Sequence, residues 1–200
     1  MLMRITAITL ALAVSACASD TDTEMDDTAM GMAADTGIRE STAAGAVDVG
    51  SWSSANVIAH ISTGDSLEVE LARMAQQRAT NDEVRSIAQT LEQDHSANRD
   101  RATQLAEQEG VTMMPPPGDT SATHFRNVTQ RLEQLQDQEF DRAFVQQQIE
   151  HHDEEVRKLT TMQSTVQDPE VREFVESTLN AVQQHLQRLQ QISTSLTNTQ

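Results

Sequence analysis

The sequence has few of the residues on which disulfide-rich, zinc-finger and β-rich proteins depend. Its 200 residues include one cysteine, one tryptophan, no tyrosine, seven glycines and four prolines. A single cysteine excludes an internal disulfide framework and a zinc finger or ribbon. So few glycines and prolines argue against a turn-rich sandwich or barrel, and they favour an all-α protein with long helices.

Positive charge is also scarce. The chain has 14 lysines and arginines against 31 aspartates and glutamates, which gives a formal net charge of −17. A surface with this charge repels phosphate backbones, so no nucleic-acid partner is expected. The sequence contains neither a nucleophile elbow nor a phosphate-binding loop, which argues against an enzyme.

The first 16 residues have the pattern of an export signal. Arg4 supplies a positive charge, and residues 5–14 form an apolar run that is too short to cross a hydrocarbon core of ~30 Å. The next residues, Val-Ser-Ala-Cys at 14–17, resemble the bacterial lipobox, in which the signal is cut before a cysteine that is then acylated. We expect a lipoprotein signal peptide over 1–16 and lipid attachment at Cys17, with a plain secretory signal as the alternative.

The segment from the cysteine to Gly50 has the composition of an acidic tether. Residues 18–50 carry eight acidic residues, one arginine and no apolar periodicity. Such a segment cannot bury enough surface to offset its ordering entropy, so 17–50 is predicted to be a disordered tether behind the lipidated cysteine. Ala18, in place of an aspartate, implies by the lipobox resemblance an outer-membrane protein that faces the periplasm; a secreted or periplasmic protein is the alternative.

Apolar residues recur at helical spacing through the rest of the chain. The spacing predicts four main helices over 66–80, 82–109, 138–165 and 169–195, and a connecting helix near 123–136. Gly64-Asp65-Ser66 is interpreted as the start of the first of these, after a short preliminary helix over 53–61. Residues 51–200, with a core over 56–192, are therefore predicted to form a four-helix bundle.

Each main helix carries one polar residue on its apolar stripe. These residues are Glu68, His95, His152 and His185. At about 1.5 Å per residue, the two members of each helical hairpin lie level to within roughly one turn. His95 and His152 also lie level if the second and third main helices run parallel and a long crossover joins them. The sequence therefore predicts a ferritin-like crossover bundle with four polar side chains near one level of its core.

One carboxylate and three imidazoles form a ligand set for a single Zn, Cu, Fe or Mn ion. Glu92-x-x-His95 reproduces half of a di-iron motif, but the matching half is missing, so a carboxylate-bridged di-iron site is not expected. Glu92, Asp94, Asp141 and Asp153 are candidates for hydrogen bonds to the ligands, although Asp94 and Asp153 are expected to be solvated. The alternative is a metal-free hydrogen-bonded network. The remaining histidines, His60, His124 and His151, are predicted to be solvated.

Several segments together resemble the bacterial family called domain of unknown function 4142. They are 66–75 (SLEVELARMA), Val84 to Asp94-His95, 139–144 (EFDRAF), His152, and Leu179 to His185-Leu186. The resemblance covers about Asn56 to Ile192 and implies a ferritin-like bundle in an exported or outer-membrane protein. It places Glu68, His95, Asp141, His152 and His185 at the polar positions of the family. His151 and Asn180 depart from the family pattern, and the family has no settled activity.

Two classes of function therefore stay open. The first is an exported, lipid-anchored envelope protein that acts as a structural, binding or stress-related module. The second is a protein that binds one transition-metal ion through Glu68, His95, His152 and His185. The sequence favours the first, because a histidine on an apolar face is more often structural than a ligand.

Overall fold

The computed structural model describes residues 48–198. Within this range the chain is all-α: a short 3₁₀ helix at Val49–Ser51 precedes five α-helices, and no strand occurs. The helices are α1 (Ser54–Arg78), α2 (Asp82–Gln108), α3 (Ser121–Glu133), α4 (Asp137–Thr165) and α5 (Pro169–Asn198). The predicted signal peptide, Cys17 and the tether up to residue 47 lie outside the described residues.

Helix α1 begins much earlier than predicted. The Ser53 side chain accepts a hydrogen bond from the Asn56 backbone, and the Asn56 side chain accepts one from the Ser53 backbone, which forms a capping box. The prediction that Gly64-Asp65-Ser66 starts a helix was wrong, because these residues lie inside α1. The preliminary helix and the first main helix are therefore one helix.

The physical reason is the continuity of the buried face of α1. Val57, Ile61, Asp65 and Glu68 recur at intervals of three and four residues, and all four are buried. Burial of this face outweighs the cost of about 1 kcal/mol for a glycine inside a helix. As a consequence, Asp65 is a buried helical residue and not an exposed cap.

The other helices begin and end close to the predicted residues. The Asn81 side chain caps α2 by accepting hydrogen bonds from the backbone of Glu83 and Val84. Asp168 does the same for α5 with Glu170 and Val171. None of the helices in the described range is long and apolar enough to cross a bilayer.

The core has two apolar clusters with a buried polar layer between them. The first cluster joins the start of α1, the ends of α2 and α4, and the start of α5. The second joins the end of α1, the starts of α2 and α4, the end of α5, and α3. Between them, each of the four long helices contributes buried polar residues: Asp65, Glu68, His95, Gln148, His152 and His185. We call these six residues the polar layer.

Energetics make the polar layer notable. Each large apolar side chain buried in the two clusters contributes about 1.5–3 kcal/mol to folding. A buried polar atom without a hydrogen bond costs about 1–3 kcal/mol instead. Phe140, Phe144 and Phe174 are fully buried, so apolar side chains of this size fit the core. The atoms of the polar layer that lack a hydrogen-bond partner in the described range therefore destabilise the fold unless a ligand contacts them.

Candidate metal centre

Three histidines from three helices converge in the polar layer. His95 of α2, His152 of α4 and His185 of α5 are all buried. Their ring centroids lie 5.7, 5.3 and 5.5 Å apart, which is close to an equilateral triangle. Each ring offers one nitrogen, and the three nitrogens lie within 4.8 Å of one another. We call these side chains the histidine triad.

The other nitrogen of each ring is held by a hydrogen-bond acceptor. His95 Nδ1 lies 2.7 Å from Asp65 Oδ1, and His185 Nε2 lies 2.8 Å from Asp94 Oδ2. His152 Nδ1 lies 2.9 Å from the backbone carbonyl of Gln148, which can only accept. Carboxylates and a carbonyl at these positions make the outer nitrogens donors. Each ring is thereby fixed in orientation, as in the imidazole ligands of known metal sites.

The inner nitrogens are buried and have no hydrogen-bond partner among residues 48–198. They are His95 Nε2, His152 Nε2 and His185 Nδ1. In a neutral imidazole whose other nitrogen donates, this atom carries a lone pair. We call these three atoms the open nitrogens. Metal–nitrogen bonds of about 2.0–2.1 Å would bring three such atoms about 3.5 Å apart, so an ion bound here would draw the rings closer together.

The surroundings of His152 and His185 lower the pKa of both rings and so favour their neutral form. Burial and the neighbouring histidines hold the pKa of His152 well below its usual value. Burial also lowers the pKa of His185, against the opposing hydrogen bond of Asp94. Burial lowers the pKa of His95 as well, but the hydrogen bond and charge of Asp65 outweigh it and leave that pKa raised. A metal ion would displace the proton that His95 tends to hold.

Glu68, the fourth predicted ligand, lies beside the triad but outside it. Its carboxylate is not one of the groups within 4.8 Å of the three ring nitrogens. Glu68 Oε1 accepts a long hydrogen bond of 3.4 Å from Gln148 Nε2 and lies 3.5 Å from His151 Nε2. Glu68 Oε2 is buried and has no partner in the described part of the chain.

The acidic residues that were predicted to hydrogen-bond to the ligands differ in their surroundings. Asp94, expected to be solvated, is half exposed and yet holds His185. Asp153 forms an exposed ion pair of 2.9 Å with Arg157, in agreement with its expected solvation. Glu92 contacts Arg73 at 2.6 Å and Gln76 at 2.7 Å, and no hydrogen bond in the described range joins it to the triad.

Asp141 is buried, but none of its hydrogen bonds within residues 48–198 joins it to the triad. Its carboxylate accepts hydrogen bonds from the backbone of Thr80 and Asn81 and from the Thr80 hydroxyl. It therefore ties the turn between α1 and α2 to α4. This role is structural, and it accounts for a buried carboxylate without a ligand.

Among the groups of this region that the sequence interpretation missed are Asp65 and His60. Asp65, which holds His95, was taken for a helix-start signal, although its spacing from Ile61 and Glu68 puts it on the buried face. His60 was expected to be solvated, but it is buried and lies 3.1 Å from Glu155. A continuous stripe through Gly64 is the signal by which both could have been found.

Solved structures with the same overall fold include two DUF305 proteins and a copper-bound protein. A putative secreted DUF305 protein from Streptomyces coelicolor is 14% identical, with 72% of this chain and 93% of that chain covered and a TM-score of 0.61. A DUF305 fragment from Deinococcus radiodurans is 17% identical, with 71% and 95% covered and a TM-score of 0.62. CopM in its Cu(I)-bound form is 18% identical, with 72% and 97% covered and a TM-score of 0.59.

These likenesses establish a shared fold. No curated protein sequence matches the chain significantly. The model of the family described as "Domain of unknown function (DUF4142)" matches residues 39–192, most of the chain and nearly all of the described helices. The chain therefore belongs to the DUF4142 family.

Proposed function

We propose that this protein binds one transition-metal ion, with copper as the first candidate, through His95, His152 and His185. The observation that carries the proposal is the set of three open nitrogens, on rings whose centroids lie 5.3–5.7 Å apart and whose outer nitrogens are held. Imidazole nitrogen suits Cu, Zn, Fe and Ni, and copper binds most tightly in the divalent series. CopM, a neighbour in fold, is seen in Cu(I)-, Cu(II)- and Ag-bound forms, which supports copper.

The chemistry of the triad favours metal over a metal-free network. In a metal-free network one ring would carry a second proton, and its inner N–H would donate to another inner nitrogen or to Glu68; no such bond is found within residues 48–198. Three imidazole ligands add no charge of their own, and the carboxylates of Asp65 and Asp94, which hold two of the rings, lie nearby to balance the charge of the ion. The set suits holding an ion, and the proposal assigns it no reaction.

The proposal includes a ferritin-like four-helix bundle made of α1, α2, α4 and α5, with α3 in the crossover. The composition of the two apolar clusters supports it. The ends of α2 and α4 lie together in the first cluster and their starts lie together in the second, as parallel helices require. The proposal also keeps the predicted cellular address, which is export, lipid attachment at Cys17 and an acidic tether at the outer membrane. Mass spectrometry of the native chain tests for an acylated N-terminal cysteine.

The test of metal binding uses the purified full chain after metal is stripped from it. We expect one tightly bound Cu(II) per chain and a thermal stabilisation of about 2.7 kcal/mol at a hundredfold excess over Kd. That stabilisation corresponds to a rise of roughly 5–10 °C in Tm. His95→Ala and His152→Ala remove both effects, whereas His124→Ala, at an exposed histidine, leaves them unchanged.

The comparison among variants locates the ion, because Cys17 and the tether are the same in all of them. Titrations with Zn, Fe and Mn under the same conditions establish the metal preference. Absence of a stoichiometric ion and of any Tm shift with all four metals would contradict the proposal. Equal loss in His124→Ala and His95→Ala would also contradict it.

A further inference from the structure

A cavity leads from the surface to the polar layer. It has a volume of about 180 Å³ and lies between α1, α3 and α4. One water occupies about 30 Å³ in the liquid, so the cavity holds several waters or a partly hydrated ion. Exposed His124 lines it at one side, and buried Glu68, Gln148 and His95 line it where it reaches the polar layer.

The inner end of the cavity presents acceptor oxygens. Glu68 is 3% exposed and Gln148 is 1% exposed. Glu68 Oε2 and Gln148 Oε1 are buried with no hydrogen-bond partner in the described range. A buried carboxylate oxygen in this state is costly, and a cation or a hydrogen-bond donor relieves the cost.

An imidazole completes this inner end. His151 Nε2 lies 3.5 Å from Glu68 Oε1, and the His151 side chain is 27% exposed, so it borders both the solvent and the polar layer. A carboxylate, an amide oxygen and an imidazole are three ligand types that transition-metal ions accept. Together, Glu68, Gln148 and His151 therefore form a second candidate position for a metal ion, separate from the triad.

The cavity touches the triad and attracts positive charge. His95, whose Nε2 is an open nitrogen, lines the cavity wall. The lining carries four carboxylates, from Asp65, Glu68, Glu154 and Glu155, against one lysine. A cleft with this excess of negative charge concentrates cations and speeds their association.

We propose that Glu68, Gln148 and His151 form a loading site, which takes a divalent metal cation from the cavity and passes it to the histidine triad through His95. This inference rests on the proposed metal-binding function. It gives Glu68 a role that a fourth ligand of the triad would not have: the loading site governs how fast the ion arrives and leaves, and the triad governs how tightly it is held.

The test measures the rate of Cu(II) uptake and release by the metal-free full chain, with stopped-flow quenching of the single tryptophan, Trp52, as the signal. We expect Glu68→Gln to slow both rates about tenfold and to change the equilibrium Kd by less than about threefold. Glu150→Gln is the matched control, since it removes one exposed carboxylate on α4 that does not line the cavity. His151→Gln serves as an independent variant of the loading site.

A substitution at Gly64 tests the route without touching a polar group. Gly64 lines the cavity, and a Cβ placed there would meet no other atom within 4 Å. Gly64→Leu narrows the cavity and slows uptake, whereas Gly64→Ala leaves the rate close to wild type. Because Gly is unfavourable inside a helix, neither variant is expected to lose stability.

The outcomes separate the two proposals. Slower uptake and release at unchanged Kd in Glu68→Gln, His151→Gln and Gly64→Leu supports the loading site. Normal rates in all three variants, in a chain that binds Cu(II), overturns the loading site and leaves the proposed function standing. A weaker Kd with an unchanged uptake rate in Glu68→Gln also overturns it, since Glu68 would then act on the bound ion. A wild-type chain that binds no metal overturns the proposed function itself.

Discussion

Two groups of buried histidine lie in this molecule, and they differ in what their nitrogens contact. The first, which we call the paired cluster, consists of His60, Glu155 and Lys158. His60 Nε2 lies 3.1 Å from Glu155 Oε2, and Lys158 Nζ lies 2.9 Å from Glu155 Oε1. The second is the histidine triad, where each ring has one held nitrogen and one open nitrogen.

The paired cluster satisfies its charges internally. Burial raises the pKa of the Glu155 carboxyl, but the hydrogen bond and charge of His60 and the charge of Lys158 outweigh it and hold that pKa well below its usual range. Burial lowers the pKa of Lys158, and the charge of Glu155 outweighs that effect and raises it. Such a cluster links α1 to α4 and needs no ligand.

The difference between the two groups shows which feature distinguishes a candidate metal site from a structural histidine cluster. A buried histidine alone is uninformative, since His60 and His152 are both buried. The informative feature is an inner nitrogen that stays open while the outer nitrogen is held by an acceptor, because such a ring is positioned and still has a lone pair to give. Three predictions follow from this difference, and each compares a change in one of the two groups with a matched reference variant.

The largest effect is expected for Glu155→Gln in the paired cluster. At pH 7 the unfolding free energy of the variant is lower by about 2–3 kcal/mol. The reason is that His60 and Lys158, which are at least partly buried, lose the carboxylate charge with which they pair. Since the pKa of Glu155 is depressed in the folded state, its contribution is complete above the unfolded pKa of about 4.3 and is lost as the pH falls further. The gap between wild type and variant therefore narrows between pH 5 and pH 3 in urea denaturation.

The reference for that variant is Asp153→Asn, at an exposed ion pair that contributes less than about 1 kcal/mol. Copper affinity is expected to stay within about threefold of wild type in both variants. If Glu155→Gln weakened copper binding more than it weakened the fold, the paired cluster would have to be counted as part of the metal centre.

An intermediate effect is expected for Asp65→Asn, which changes the acceptor that holds His95. The amide keeps the shape but loses the charge, so copper affinity falls about 10- to 100-fold, or about 1.4–2.7 kcal/mol, in competition titrations. Glu92→Gln is the matched control, because it also removes one carboxylate near α2 but contacts Arg73 and Gln76. An equal loss of affinity in both variants would mean that total charge matters and that the position of Asp65 does not.

The smallest effect is expected for His152→Leu in the metal-free protein. Replacing a ring that has an open nitrogen by an apolar side chain raises the unfolding free energy by about 1 kcal/mol while copper binding is lost. His60→Leu in the paired cluster has the opposite sign, because it leaves Glu155 with one partner fewer. Chemical denaturation of both variants without metal decides the matter, and destabilisation of similar size in the two would show the triad to be as structural as the paired cluster.

Much of the helical layout could be predicted from the sequence because helix periodicity is a local property. The bounds of α2, α4 and α5 and the caps at Asn81 and Asp168 follow from residues within a few positions of each other. The error at α1 has the same origin. Glycine and aspartate in sequence indicate a helix start, whereas the continuous buried face that overrides them depends on what packs against it.

The candidate site also has one part that could be predicted from the sequence and one part that could not. Periodicity alone put His95, His152 and His185 on inward faces, since the face of a helix is set by spacing. The hydrogen-bond partners of His95 and His185 could not be predicted from spacing, because Asp65 lies 30 residues from His95 and Asp94 lies 91 residues from His185. Glu68 illustrates the limit, as an inward-facing residue that meets His151 and Gln148 in place of the triad.

The sequence by itself therefore determined the bounds of α2, α4 and α5, the inward faces of the main helices, and the four polar residues on those faces, because each depends on spacing along one chain segment. The tertiary structure decided that Asp65 holds His95 and that Asp94 holds His185, which leaves His95 Nε2 and His185 Nδ1 open. It also decided that Glu68 faces a cavity and that His60 is paired with Glu155. Those outcomes depend on side chains from different helices meeting at a few ångströms, and no periodic pattern along the chain encodes that distance.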